Sequence, residues 1–277
     1  MKSRIISAII MIALLVPLLI VGGVPFAVFM TILSTLALYE IIHVREAERK
    51  FPIIVKIFAY LLVMFFTISN FNSIQFVFNV DYRVISFIIF AFLLPMVFIK
   101  NTKTYDLNDA LFLIGSVMFI GLGFNLMIVT RNYDIAYVIY LLLITTITDT
   151  FALITGMLIG KKKLAPTISP KKTIEGSIGG SLMGTAVASA FYITVINSAH
   201  SLVLVILVTC LLTVVGQLGD LAFSFIKREY GKKDFSNLIP GHGGVLDRLD
   251  SLMFVVLAFV LLLGIIWEGY TCRLFLI

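Results

Sequence analysis

Long apolar blocks separated by short polar connections dominate this chain, and within the blocks hydrophobic residues occupy every helical face rather than one stripe. A helix needs about 20 such residues to cross roughly 30 Å of hydrocarbon. Blocks at 5–21, 24–43, 52–69, 84–99, 109–129, 135–159, 176–197, 201–226 and 251–269 therefore predict about nine spans. The expected fold is all-α: a polytopic integral membrane protein with about nine transmembrane helices. The first block follows Lys2 and Arg4 in the manner of a signal peptide, but no convincing small-x-small cleavage site follows it, so it is expected to be retained. Pro17, Pro25 and Pro95 suit kinks or span ends.

Composition supports the membrane class, with 60% hydrophobic residues and 13% charged. The net charge of +6 would point to nucleic acid in a soluble protein, but here it reports topology and no nucleic-acid partner is expected. Of 21 Lys and Arg residues, all but Arg83, Arg131 and Arg273 fall at the amino terminus or in even-numbered connections. The positive-inside rule then puts the amino terminus and those connections in the cytoplasm and, with nine spans, the carboxyl terminus outside. Arg45, Arg49, Lys50, Lys100 and Lys103 read as topology determinants. Cys210 and Cys272 form no CxxC or Cys/His cluster, so neither zinc nor a disulfide framework is expected.

Chemistry concentrates in the second half. Residues 1–132 read as amino-terminal transmembrane helices with little chemistry, Glu40 lying near a cytoplasmic span end. Residues 133–277 read as a catalytic transmembrane region with cytoplasmic loops at 160–175 and 227–250. Asp149 lies about 15 Å below the cytoplasmic edge of its span at 1.5 Å per residue. A carboxylate there must be paired or hydrated, and Thr145, Thr146, Thr148 and Thr150 offer hydroxyls for a wet cavity. A buried, purely structural Asp is the alternative. Asp220 sits similarly near the end of the eighth block, with Gly216 and Gly219 permitting close approach.

Two loops could hold an anion. Ser169-Pro170-Lys171-Lys172-Thr173-Ile174-Glu175-Gly176 reads as a turn entering a helix, with helix-start amides and lysines favouring phosphate. Gly176, Gly179, Gly180 and Gly184 then make a small-residue face. Gly156 to Lys162 does not have Walker A spacing. In the last loop Asp247 and Asp250 are three apart and, with Asp220, could form a carboxylate cluster suited to Mg²⁺. Helix capping by Asp247 is the alternative. Gly243 and Gly244 free the backbone to offer amides to phosphate, His242 reads more readily as a strut than a catalyst, and Arg228 and Arg248 suit a phosphate clamp.

The run Ser224-x-Ile226-Lys227-Arg228, Lys233-Asp234, Ser236 and Ile239-Pro240-Gly241-His242-Gly243-Gly244-Val245-x-Asp247-Arg248-Leu249-Asp250 resembles the signature of the phosphatidate cytidylyltransferases, the CDP-diacylglycerol synthases. Ser169 to Thr173 with Glu175, Gly176, Gly179 and Gly180 resembles that family's second block. Asp149, Ala152, Gly156, Gly160 and Lys161 form a looser match, with Leu153 where the family has an aromatic residue. The resemblance implies a Mg²⁺-dependent nucleotidyltransferase of the cytoplasmic (inner) membrane, its active site facing the cytoplasm, converting CTP and phosphatidate to CDP-diacylglycerol and pyrophosphate. On that reading Asp220 and Asp247 bind metal, and Asp220, Asp247, Lys172 and Arg248 are catalytic. Substrate binding falls to Asp149, Ser169, Lys171, Thr173, Glu175, Lys227, Arg228, Lys233, Asp234, His242, Gly243, Gly244 and Asp250. A second cation is left open, and the small-residue faces with the resemblance suggest a homodimer. The rival readings are a transporter for an anionic solute, disfavoured because the polar groups stop on one side, and another membrane enzyme using nucleotide-linked lipids.

Overall fold

Apolar runs without internal turn residues give helices, and a computed structural model describes them over residues 2–69, 71, 82–99 and 104–274. Among the described residues there are nine α-helices: α1 (Lys2–Val21), α2 (Gly23–Arg45), α3 (Ile53–Ile68), α4 (Tyr82–Phe98), α5 (Leu107–Tyr133), α6 (Ile135–Ile159), α7 (Ile174–Phe191), α8 (Leu202–Glu229) and α9 (Leu246–Leu274). Among the described residues five stretches, namely α2, α5, α6, α7 with the π-helical turn Tyr192–Ile196, and α8, are long and apolar enough to cross a membrane. Large apolar side chains such as Met157, Leu158, Leu182 and Leu207 are exposed along these helices. An apolar surface of that extent requires a nonaqueous neighbour, so the chain is an integral membrane protein. Lys100 and Lys103, counted for topology, lie outside the described residues.

The expectation for residues 160–176 is corrected in one respect. In place of a simple turn, β1 (Lys163–Ala165) pairs antiparallel with β2 (Ser169–Thr173) in a two-stranded hairpin. Pro170 can be accommodated because, in a two-stranded sheet, alternate N–H groups of each strand face away from the partner and make no ladder bond.

The chain forms two compact units. Unit 1 comprises Met1–Asn132 and the later segment Asp234–Arg248; unit 2 comprises Tyr133–Lys233 and Leu249–Ile277. In unit 1 the core is aromatic and aliphatic: Phe26, Phe66, Phe92 and Phe124 are fully buried, as is Phe235 from the later segment. Gly121 lets α5 approach the Phe66 ring. The carbonyls that end α3 are satisfied by Asn125, whose Nδ2 donates to Phe66 (3.2 Å) and Thr67 (2.9 Å). Arg131 likewise caps α1, donating from Nε to Leu19 (2.9 Å) and from Nη2 to Ile20 (2.8 Å). Arg45 and Arg49 do more than mark topology, since both pair with Asp109, which is 1% exposed, and Arg49 also pairs with Asp106 at 2.8 Å. That guanidinium, after the Asp109 backbone amide, holds the Asp106 carboxyl below the usual range.

In unit 2, α6 and α7 pack closely because their facing residues are small. A side chain added at Gly180 would come within 2.5 Å of the Thr148 carbonyl, and one at Gly179 within 2.5 Å of Thr155 Oγ1. The glycine face of α7 is thus occupied by α6 of the same chain, which removes it as a ground for expecting a dimer. Gln217 of α8 holds α7 through Ser181 Oγ (2.7 Å) and the Ser177 carbonyl (3.2 Å). Tyr140 hydrogen-bonds Thr209 at 2.7 Å within a cluster that includes Tyr137, Tyr192 and Phe259.

Candidate active site

Unit 2 gathers charges that the sequence scatters over 100 positions. β2 ends at Thr173, whose Oγ1 caps α7 by accepting from the Gly176 amide at 3.1 Å. One residue earlier, Lys172 projects to form an ion pair with Asp220 of α8. Ser224, one helical turn on, lies 3.5 Å from the other Asp220 oxygen. The charges of Asp220 and Lys172 also act on Asp149 of α6. Asp149 is exposed on α6. Asp250 is 9% exposed, accepts from the Ser251 amide at 2.7 Å, and experiences Asp220, Lys227 and Asp149 electrostatically. Lys227 is itself buried.

Three carboxylates therefore share two ammonium groups in a largely apolar surrounding. The negative excess suits a hard cation, since carboxylate oxygens are the ligands Mg²⁺ prefers. Among the described residues no group of three His, Cys, Asp or Glu encloses a metal by itself. Mg²⁺ ordinarily takes one or two carboxylates and completes its shell with water and substrate phosphate, so these residues fit that mode.

The threonines beside Asp149 are less available than expected. Thr145, Thr146 and Thr150 return their hydroxyls to carbonyls of their own helix, as Ser and Thr commonly do. Only Thr148 Oγ1 among the four lacks a hydrogen-bond partner within the chain. The loosely matching residues have a packing reason: Gly156 and Gly160 lie against Thr173, and Ala152 against Gly176 and Gly180. The two sequence blocks interlock where β2 becomes α7. Glu175 clasps the same corner, accepting from the Lys161 (3.0 Å) and Lys162 (3.2 Å) amides. Ser169 pairs with Ala165 in the hairpin, and Lys171 is exposed. Arg228 spends Nε on the Ile168 carbonyl (3.3 Å) and Nη1 on that of Lys232 (3.0 Å), while Lys233 is exposed.

Unit 1 holds the Asp234–Arg248 segment, whose Asp234 is exposed. Its turn closes between Ile239 and Gly243, with Gly241 at φ 78° and Gly243 at φ 84°, conformations that favour glycine. The Gly244 amide donates to Asp247 Oδ2 at 2.9 Å and that of His242 to the Ile239 carbonyl at 2.9 Å, so neither is spare for phosphate. Asp247 Oδ2 also accepts from the Phe235 amide at 2.9 Å, and Arg248 Nε donates to the His242 carbonyl at 2.9 Å. His242 is a strut: its Nδ1 lies 2.7 Å from Ser7 Oγ, which also donates to the Pro240 carbonyl at 3.0 Å.

Sequence reasoning missed the amino-terminal contribution to this loop. Ser7 carried no signal, but Glu40 did, being a carboxylate within an apolar span. Its side chain is wholly buried and accepts from Ser236 Oγ and from the Val245 and Leu246 amides.

A profile of the cytidylyltransferase family matches residues 2–266. A phosphatidate cytidylyltransferase of Staphylococcus haemolyticus is 36% identical over 256 residues, spanning 92% of this chain and 96% of that protein. The enzyme of the same name from Bacillus subtilis is 34% identical over 260 residues, 92% of this chain and 95% of the relative. That from Staphylococcus aureus is 35% identical over 257 residues, with 92% and 96% covered. With the profile spanning both units and the relatives aligned along nearly their whole lengths, this chain belongs to the cytidylyltransferase family.

Proposed function

We propose that this protein is a phosphatidate cytidylyltransferase that makes CDP-diacylglycerol and pyrophosphate from CTP and phosphatidate. Similarity to enzymes of that name along nearly the whole chain carries the reading. A phosphatidate oxygen attacks the α-phosphorus of CTP; the new P–O bond forms as the α–β phosphoanhydride bond breaks, and its electron pair leaves with pyrophosphate. The nucleophile is already ionised, so the protein's work is to bring two polyanions together and stabilise the charge that develops.

Asp220 in unit 2 and Asp247 in unit 1 are each proposed as Mg²⁺ ligands, on the family resemblance. Bound Mg²⁺ would supply charge neutralisation at phosphate oxygens. Lys172 pairs with Asp220 in the absence of substrate and is proposed to exchange that partner for a phosphate. Lys171, Arg248 and the N–H groups of Arg228 not given to carbonyls supply further positive charge to the two substrates. Asp149 and Asp250 add negative charge beside Lys172 and Lys227. The acyl chains remain in lipid against the exposed apolar helix faces. The basic connections point to nine crossings with the amino terminus and the catalytic loops on the cytoplasmic side of the inner membrane.

The test is incubation of purified, monodisperse protein with phosphatidate, labelled CTP and Mg²⁺. A labelled CDP-lipid and stoichiometric pyrophosphate are expected. Their absence from folded protein across several divalent metals and acyl chains would remove the proposal.

A further inference from the structure

We infer that Glu40 is a positioning residue for the reaction: from α2 it fixes the backbone of the loop bearing Asp247 and Arg248, without touching substrate. The inference rests on that loop serving the cytidylyltransferase reaction proposed above.

The first amides of a helix have no intrahelical acceptors, and a buried unsatisfied amide is costly. At the start of α9 those donors are met by a carboxylate from another helix. Glu40 Oε1 accepts from Ser236 Oγ (2.6 Å) and the Val245 amide (2.8 Å), while Oε2 accepts from the Leu246 amide (2.8 Å). Gly244 lies so close to this carboxylate that an added Cβ would overlap it. Immediately beyond comes Asp247, whose Oδ2 is taken by the Phe235 and Gly244 amides. The amides of three successive residues, 244 to 246, are thus shared by two carboxylates. The Asp247 side chain can be held in one orientation only while Glu40 holds the next two amides. Glutamine cannot replace it: the two oxygens face two N–H donors, and the amide nitrogen would oppose one of them.

Glu40→Gln and Glu40→Asp are compared with wild type by steady-state kinetics and by hydrogen exchange of peptides containing Val245 and Leu246. For Glu40→Gln we expect exchange there to accelerate about tenfold or more, as for the loss of one buried charge-assisted bond. We also expect kcat per folded molecule to fall about tenfold or more and the Mg²⁺ concentration for half-maximal rate to rise. Glu40→Asp, which keeps two acceptor oxygens, should recover part of each. A purely structural residue would alter the yield of folded protein and leave the Mg²⁺ requirement unchanged. Should Glu40→Gln not fold, Ser236→Ala removes one of the three bonds and should shift exchange and kcat in the same direction by less. Unchanged exchange at Val245 and Leu246, or accelerated exchange with wild-type kcat and Mg²⁺ dependence, overturns the inference. If the wild-type protein makes no CDP-lipid, the reaction proposal fails by itself, while the exchange measurement still reports whether Glu40 holds the loop.

Discussion

Asp247 holds the backbone of its loop and is also proposed as a metal ligand, and the two roles can be separated. Its Oδ2 accepts two backbone amides, an arrangement an asparagine oxygen can reproduce without the charge. Asp247→Asn should therefore keep its melting temperature within a few degrees while turnover falls by roughly a hundredfold or more, as when a preorganised electrostatic group is removed. Asp220→Asn should lose turnover alike, and because it leaves the mostly buried Lys172 ammonium without its paired charge it should also cost about 1–3 kcal/mol of stability. Near-normal kcat in either variant, measured on material shown to be folded, would remove that residue from the reaction. Asp250 was legible through its three-residue spacing from Asp247, and Asp149 and Asp220 because charge within an apolar run is expensive and needs a reason. Glu40 met the same criterion, but its partners are about 200 positions downstream. Sequence spacing contains nothing that joins a span-end carboxylate to amides that distant.

At the level of elements, the helices were legible and the hairpin was not. Each of the nine apolar blocks corresponds to a helix, although the last helix, Leu246–Leu274, runs five residues beyond the 251–269 block at each end. Residues 169–173 contain Pro170 and two lysines and show no alternation, so no strand pattern was present. The strand follows from its neighbours: the Glu175 carboxylate fixes the Lys161 and Lys162 amides, which places residues 163–165 beside the stretch leading into α7. The glycines of α7 make a close-packing face, and its partner is α6. Gly180→Val tests that contact, because its added carbons would meet the Thr148 carbonyl and Ala152. Overpacking there should cost about 1–3 kcal/mol, lower the melting temperature, and diminish activity by displacing Asp149 relative to Lys172. A variant with wild-type melting temperature and kcat would show that α6 and α7 tolerate separation.

For the whole molecule, the consequential fact is that unit 1 is discontinuous, recovering Asp234–Arg248 after the chain has traced most of unit 2. The amino-terminal helices, which had promised little chemistry, supply Ser7 and Glu40 to the loop that contains His242, Asp247 and Arg248. Sidedness is then a property of the entire chain, because the basic residues of residues 160–175 and 227–250 must share one aqueous compartment for the proposed reaction to have a single source of CTP. The compartment proposed from positive-inside counting is the cytoplasm. CTP is a multiply charged anion that does not cross a lipid bilayer, so sealed vesicles of defined orientation report the assignment directly. Inverted inner-membrane vesicles containing this protein should convert external labelled CTP to CDP-lipid, whereas right-side-out vesicles should be slower by about tenfold or more until detergent opens them; this is the barrier expected for a charge in hydrocarbon. Equal rates in both sealed preparations, or greater activity in right-side-out vesicles, would reverse the orientation and with it the placement of both loops.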